Sequence, residues 1–98
     1  MTKAHEPITP GEILLTEFLE PLGISQYRLA QATGLPQTRI SEIVRGKRAI
    51  TTGTALRLSR ALGVDDRFWI TVQTDHDLEV ERDLHAVELA NVTPLVAR

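Results

Sequence analysis

The chain has no cysteine among its 98 residues, which excludes disulfide bonds, thiolate metal clusters and a cysteine nucleophile. It also has no apolar run near the roughly 20 residues that a membrane-spanning helix needs. Its N-terminal residues lack the apolar core of a signal peptide. We therefore expect a cytoplasmic protein with no membrane partner.

Patterns for catalysis and metal binding are missing as well. The serines have no histidine and carboxylate partners at a spacing that suggests a nucleophile. The three histidines lack the spacing of metal ligands, and they are His5, His76 and His85. We therefore expect that the chain is not an enzyme and that it has no cofactor and no metal site.

Strict two-residue alternation of apolar and polar side chains is absent, so the sequence predicts no β-sheet. A short strand in the last ten residues is the one exception that the pattern leaves open. An apolar content of 42% is enough for one compact core and too high for a disordered chain. The length predicts a single all-α domain over residues 1–98.

Charge is distributed unevenly, although the net charge is only −2. Residues 1–25 carry a balance of −3, residues 26–60 carry +6 and residues 61–98 carry −5. A basic centre between acidic ends is typical of a domain that meets phosphates with one surface.

Five helices are predicted from capping residues and apolar spacing. Their expected starts are Thr9-Pro10, Ser25, Pro36, Thr51 or Thr52, and Asp65. The first is expected to stop at Pro21 and Gly23, and the next three to end at Gly34, Gly46 and Gly63. The helical pattern weakens beyond Glu79, and residues 85–98 are predicted to form a C-terminal tail.

Residues 25–45 have the spacing of a helix-turn-helix. The motif begins with a polar residue, here Gln26, and needs a small packing residue four positions later, here Ala30. It then needs a left-handed turn, at Gly34, and a core contact six positions further on, at Ile40. An ordinary pair of packed helices would explain the alanine and the glycine equally well. The outward face of the second helix favours DNA binding instead.

That outward face carries Thr38, Ser41, Glu42 and Arg45, with Gln37 at its N-terminal edge. Most of these are short hydrogen-bonding groups, unlike the long Lys and Glu pairs that are usual on a solvated helix. Short polar side chains let a helix lie deep in the major groove and reach the base edges. We therefore predict that this helix recognises double-stranded DNA.

Roles for the individual side chains follow from their positions. Gln37 and Thr38 lie in the first helical turn, where base contacts concentrate, and Gln37 suits adenine. Arg39 could reach a guanine or a phosphate, and Glu42 could accept from cytosine N4 or repel a phosphate and so set the register. Phosphate contacts are expected from Gln26, Arg45, Lys47 and Arg48. The full set of predicted DNA-binding residues is Gln26, Gln37, Thr38, Arg39, Ser41, Glu42, Arg45, Lys47 and Arg48.

An aromatic patch follows the fourth helix, and it consists of Phe68, Trp69 and Val72. Part of it must close the core, but a tryptophan beside a phenylalanine at the edge of so small a core also suggests a dimer interface. A two-fold dimer suits this motif, because two recognition helices then enter successive major grooves about 34 Å apart.

Several stretches resemble the HigA family of antitoxins, the VapI-like branch of the Xre regulators. The similar segments are residues 10–15, 18–23, 39–51, 54–58 and 68–69, with Gln73 and Asp77-Leu78. The resemblance covers roughly residues 7–80, and the segment from Arg39 to Thr51 is its most specific part.

The resemblance implies a five-helix, lambda-repressor-like fold and a homodimer that binds a palindromic operator and represses its own operon. It also implies a partner toxin of the HigB type, a RelE-like ribonuclease that cleaves mRNA and that the antitoxin neutralises by binding. A stand-alone Xre-type regulator without a toxin remains the alternative.

Overall fold

The computed structural model describes residues 7–97, and every regular element in that range is helical. Helix α1 spans residues 10–22 as an α-helical turn (Pro10–Ile13), a π-helical stretch (Leu14–Leu19) and a final α-helical turn (Glu20–Leu22). The other helices are α2 (Gln26–Thr33), α3 (Gln37–Val44), α4 (Thr52–Leu62), α5 (Phe68–Leu84) and α6 (Ala86–Ala90). The predicted all-α fold is confirmed, with a short sixth helix after the predicted five.

Local capping signals set the ends of the first two helices as predicted. Thr9 Oγ1 accepts a hydrogen bond from the Glu12 amide, and Ser25 Oγ accepts one from the Arg28 amide, each at 3.1 Å. Such caps typically contribute about 1 kcal/mol each. Gly34 ends α2 at φ 74°, a left-handed conformation in which a side chain would be strained.

Pro21 lies inside α1 and does not end it, which corrects one detail of the prediction. A proline has no amide to bond the carbonyl four residues earlier. The residues just before it wind more widely, so that the Glu20 amide bonds the Leu15 carbonyl five residues back. The helix therefore continues through the proline and ends at Gly23, whose φ is 65°.

Gly11 lets α1 lie directly against the end of α3. A Cβ atom built on Gly11 would be 1.7 Å from the Ile43 carbonyl oxygen and 2.9 Å from the Val44 Cα. Both neighbours are backbone atoms that cannot swing aside as a flexible side chain would. The position of α3 therefore depends on this glycine in the first turn of α1.

One hydrophobic core joins helices α1 to α5, and Trp69 is completely buried in it. The Trp69 ring lies with its centroid 5.2 Å from that of Phe18 and 5.1 Å from that of Phe68. The core side chains are Leu14, Leu19, Leu29, Ala30, Leu35, Ile40, Ile43, Ile50, Ala55, Leu58 and Trp69.

The burial of Trp69 corrects its prediction as a dimer-interface residue. A side chain with no exposed surface cannot contribute area to a contact between two copies. The tryptophan is needed at this place because α1 brings Phe18 against it. Phe68 and Val72 remain half-buried, so their part of the interface prediction stays a prediction.

Helix α5 begins later than predicted. Asp65 Oδ1 accepts from the Arg67 amide at 2.8 Å, and the Asp65 carbonyl accepts from the Phe68 amide at 2.9 Å. These bonds close a turn that leads into the helix, so Asp65 does not cap the helix directly.

The C-terminal part is more helical than predicted. Helix α5 continues past Glu79 to Leu84, and α6 lies within the segment 85–98 that was predicted to form a C-terminal tail. Residues 81–97 are all exposed, and no strand occurs between 89 and 97. This part of the chain therefore projects from the core.

Candidate DNA interface

Helix α3 has a buried face and a polar face, as the sequence predicted. Ile40 and Ile43 are almost fully buried against the rest of the core. Residues three or four positions apart share one side of a helix, so Thr38, Ser41 and Arg45 lie together on the opposite side. This arrangement leaves a row of hydrogen-bonding groups facing away from the core.

The first turn of α3 presents its side chains outward. Gln37 and Thr38 are exposed, while Arg39 is half-buried at the side of the helix. Pro36 precedes the helix as its N-cap residue and provides no side-chain cap. Gln37 and Thr38 therefore stand at the leading end of the helix, where base contacts are expected.

Gln26 opens the other helix of the motif. It is half-buried and follows Ser25, whose hydroxyl already bonds the Arg28 amide. One orphan amide of this helix end is therefore satisfied within the protein. The predicted phosphate contact at this end depends on the Gln26 side chain and the remaining amides.

Glu42 and Arg48 form an ion pair, which changes how both residues must be interpreted. Arg48 Nε donates to Glu42 Oε1 at 2.7 Å, and both side chains are partly exposed. The pair uses one of the five N–H donors of the arginine, so the guanidinium can still meet a phosphate. The two side chains were predicted to act separately on DNA, and the ion pair links them, so a change at either residue would also affect the other.

The chain after α3 turns back sharply onto the helix. The Gly46 amide bonds the Ile43 carbonyl at 3.0 Å, and the Lys47 amide bonds the Glu42 carbonyl at 2.8 Å. This double closure, with Gly46 at φ 73°, is a left-handed helix end. Arg45 and Lys47 are exposed on either side of the glycine, so both cations can reach outward.

Arg57 has a structural role that its position in the sequence does not indicate. From α4, its Nη1 donates to the Thr33 carbonyl at 2.6 Å, 24 residues away along the chain. The same nitrogen lies 3.1 Å from where a Cβ on Gly34 would be. A cation on the carbonyl end of a helix is favourable, and here it braces the turn between α2 and α3.

A second arginine of α4 points away from this turn. Arg60 Nε donates to Asp66 Oδ1 at 2.8 Å, and Arg60 Nη2 donates to Asp66 Oδ2 at 3.1 Å. The bonded guanidinium holds the pKa of the Asp66 carboxyl below its ordinary value. This arginine is therefore engaged within the protein.

Within residues 7–97, no group of three histidine, aspartate or glutamate side chains is arranged to hold a metal ion. None of the described helices is long and apolar enough to cross a membrane. His5 lies outside the described residues.

A helix-turn-helix family matches residues 15–69, more than half of the chain. Virulence-associated protein I of Dichelobacter nodosus is 46% identical over 83 residues, covering 84% of this chain and 77% of that protein. Antitoxin HigA-1 of Vibrio cholerae is 37% identical over 91 residues, covering 93% and 86%.

The chain belongs to the Xre-type family of DNA-binding helix-turn-helix proteins, in the branch of the HigA antitoxins. A solved structure of this branch, the Pseudomonas aeruginosa antitoxin HigA with the higBA promoter, superimposes with a TM-score of 0.84 at 33% identity. The match covers 93% of this chain and all of that one, so it includes α5 as well as the motif. The predicted family is therefore confirmed.

Proposed function

We propose that this chain is a cytoplasmic repressor that binds a palindromic operator in its own promoter. Helix α3 enters the major groove with Gln37, Thr38 and Ser41 toward the base edges. The observation that carries the proposal is the polar face of α3, which is followed at once by exposed cations in residues 45–48. The likeness to an antitoxin solved with promoter DNA supports the same geometry.

Specificity and affinity are assigned to different parts of this surface. Hydrogen bonds to base edges from the first turns of α3 select the sequence. Arg45, Lys47 and Arg48 contact phosphates, which gives affinity that depends on salt but little on sequence. Glu42 holds Arg48 against α3 and thereby sets the place of that phosphate contact.

The repressor acts as a homodimer through the C-terminal apolar strip, which we define as Val72, Val80 and Leu84. Val80 and Leu84 are four residues apart and lie on one side of α5, and Val72 lies about two turns before Val80, where it also packs against the core. Leu84 is 68% exposed at the outer end of the strip. A second copy is the occupant that fits, since a palindromic operator requires a two-fold axis and a self-complementary contact.

The chain also neutralises a RelE-like, HigB-type toxin that cleaves mRNA. Support comes from membership of the HigA branch and from the balance of −5 over residues 61–98, which complements a basic ribonuclease. Direct binding of the acidic C-terminal half to the toxin is the simplest arrangement.

Footprinting on the protein's own promoter tests the repressor proposal, with and without the product of the neighbouring open reading frame. Protection of a palindrome is expected, and an unprotected promoter would contradict the proposal. Co-expression tests the antitoxin part: the chain should restore growth of cells that produce the neighbouring protein. A protected promoter together with a harmless or absent neighbour would favour the stand-alone regulator.

A further inference from the structure

The loop that carries the phosphate anchors is tied to α5 by one side chain. We call residues 45–51 the anchor loop, because it contains Arg45, Lys47 and Arg48 and leads from α3 to α4. Its first part is bonded back to α3, as described above. Its last part is held from elsewhere: the Ile50 amide donates to Gln73 Oε1 at 2.8 Å, across 23 residues of chain.

Both polar atoms of the Gln73 side-chain amide form hydrogen bonds. Its Nε2 donates to Asp77 Oδ1 at 2.9 Å, one turn further along α5. Because the NH₂ group is bonded to the carboxylate, the carbonyl oxygen is turned toward Ile50. Asp77 therefore fixes the orientation in which Gln73 can accept a hydrogen bond from the loop.

The surroundings make this bond costly to lose. The bond is partly buried, since Ile50 is buried and Gln73 is half-buried, so removing Gln73 would leave the Ile50 amide with less complete solvation than in the unfolded chain. A narrow groove lies beside the bond, with Lys47, Arg48 and Ala49 on one wall and Gln73 and Asp77 on the other. The loop and α5 therefore face each other across the groove.

We propose that Gln73 is a positioning residue for DNA binding. By holding the Ile50 amide, it keeps the anchor loop in the conformation that presents Lys47 and Arg48 to the phosphates at the same time as α3 enters the groove. This inference rests on the proposed repressor function and adds a residue of α5 to it.

The test compares four full-length variants with the wild type. Gln73→Leu removes both hydrogen bonds, and Gln73→Glu keeps an acceptor for Ile50 but puts two carboxylates side by side. Asp77→Asn combined with Gln73→Glu restores a donor opposite the new carboxylate without changing the net charge. Asp77→Asn alone is the matched control, because the new side-chain amide still offers an acceptor oxygen to Gln73.

The measurement is the affinity for an own-promoter duplex over a series of salt concentrations, with thermal melting of each variant. Loss of one or two phosphate contacts in Gln73→Leu should lower the slope of log affinity against log salt by about one or two. Affinity at low salt should fall roughly tenfold or more. The salt slope and affinity of Gln73→Glu should lie between those of Gln73→Leu and the wild type. The double variant should recover the wild-type slope.

A purely structural role would lower the melting temperature without changing the slope for the folded protein. A wild-type slope in folded Gln73→Leu would therefore overturn the inference. If Gln73→Leu does not fold, the double variant provides the test. A double variant that binds DNA no more tightly than Gln73→Glu would contradict the proposal. Failure of the wild type to bind any duplex would instead reject the repressor function.

Discussion

The central segment, residues 26–60, and the C-terminal segment, residues 61–98, are built differently. The central segment carries +6 and supplies eight of the eleven core side chains, whereas the C-terminal segment carries −5 and supplies Trp69 alone. Its residues from 81 to 97 are exposed throughout. The difference fits the proposed division of roles, in which the basic, core-forming part binds DNA and the exposed acidic part binds protein partners.

The two segments meet at Gln73. Helix α5 starts in the core at Phe68 and Trp69, bonds the anchor loop through Gln73, and then leaves the core as an exposed helix. The anchor loop is therefore held in place against the first half of α5. The second half of this helix is exposed and accessible to a partner.

The same substitution should destabilise the protein by very different amounts in the two segments. Leu58→Ala empties a fully buried site and should cost about 2–5 kcal/mol of unfolding free energy, while Leu84→Ala should cost less than about 0.5 kcal/mol. Urea unfolding at a concentration where the chain is monomeric measures both. Similar losses in the two variants would remove the structural contrast.

Gly11→Ala should disturb the packing of α3 against α1. The new methyl group collides with the Ile43 carbonyl, and such overpacking costs about 1–3 kcal/mol. Gly53→Ala in α4 is the matched control, because its Cβ would meet nothing within 4 Å. It should stabilise the protein by about 0.5–1 kcal/mol. Thermal melting distinguishes the two, and an unaffected Gly11→Ala would contradict the close contact.

Leu84→Asp should separate the proposed dimer. A carboxylate buried in the apolar strip is unfavourable, so we expect the dimer dissociation constant to rise by roughly tenfold or more. Leu22→Asp, at an exposed leucine on α1, is the control and should leave association unchanged. Sedimentation velocity measures both variants, and equal behaviour would place the interface elsewhere.

Asp66→Asn should have the smallest effect. Arg60 lowers the Asp66 pKa, so the pair contributes stability above the unfolded-state pKa and loses it as pH falls through the folded-state value. Both groups are solvent-accessible, which keeps the contribution small. Urea midpoints of wild type and variant should differ slightly near neutral pH and converge in acid. A difference that grows in acid would reverse this interpretation.

Local signals made much of the fold predictable. Thr9, Ser25 and Gly34 act on their own helix ends, so their effect can be read from neighbouring residues. Helix α5 beyond Glu79 was missed because it leaves the core, and Val80 and Leu84 alone are too few apolar positions to show a helical period. Trp69 was wrongly predicted to lie in a dimer interface because its burial depends on Phe18, which is distant in sequence.

The candidate site was predictable in outline for the same reason. The polar face of α3 follows from helical spacing alone. The Glu42–Arg48 pair, the Arg57 brace and the Gln73 bond depend on how the chain folds back on itself, and nothing in the sequence spacing indicates them.

The central claim is that α3 reads base pairs while the anchor loop holds the phosphates, and two variants test it on two duplexes. Thr38→Ala should lose roughly 1–3 kcal/mol of binding free energy on the own-promoter duplex and nothing on a scrambled one. Lys47→Ala should weaken binding to both duplexes and lower the salt slope by about one. Equal losses for both variants on both duplexes would contradict the account.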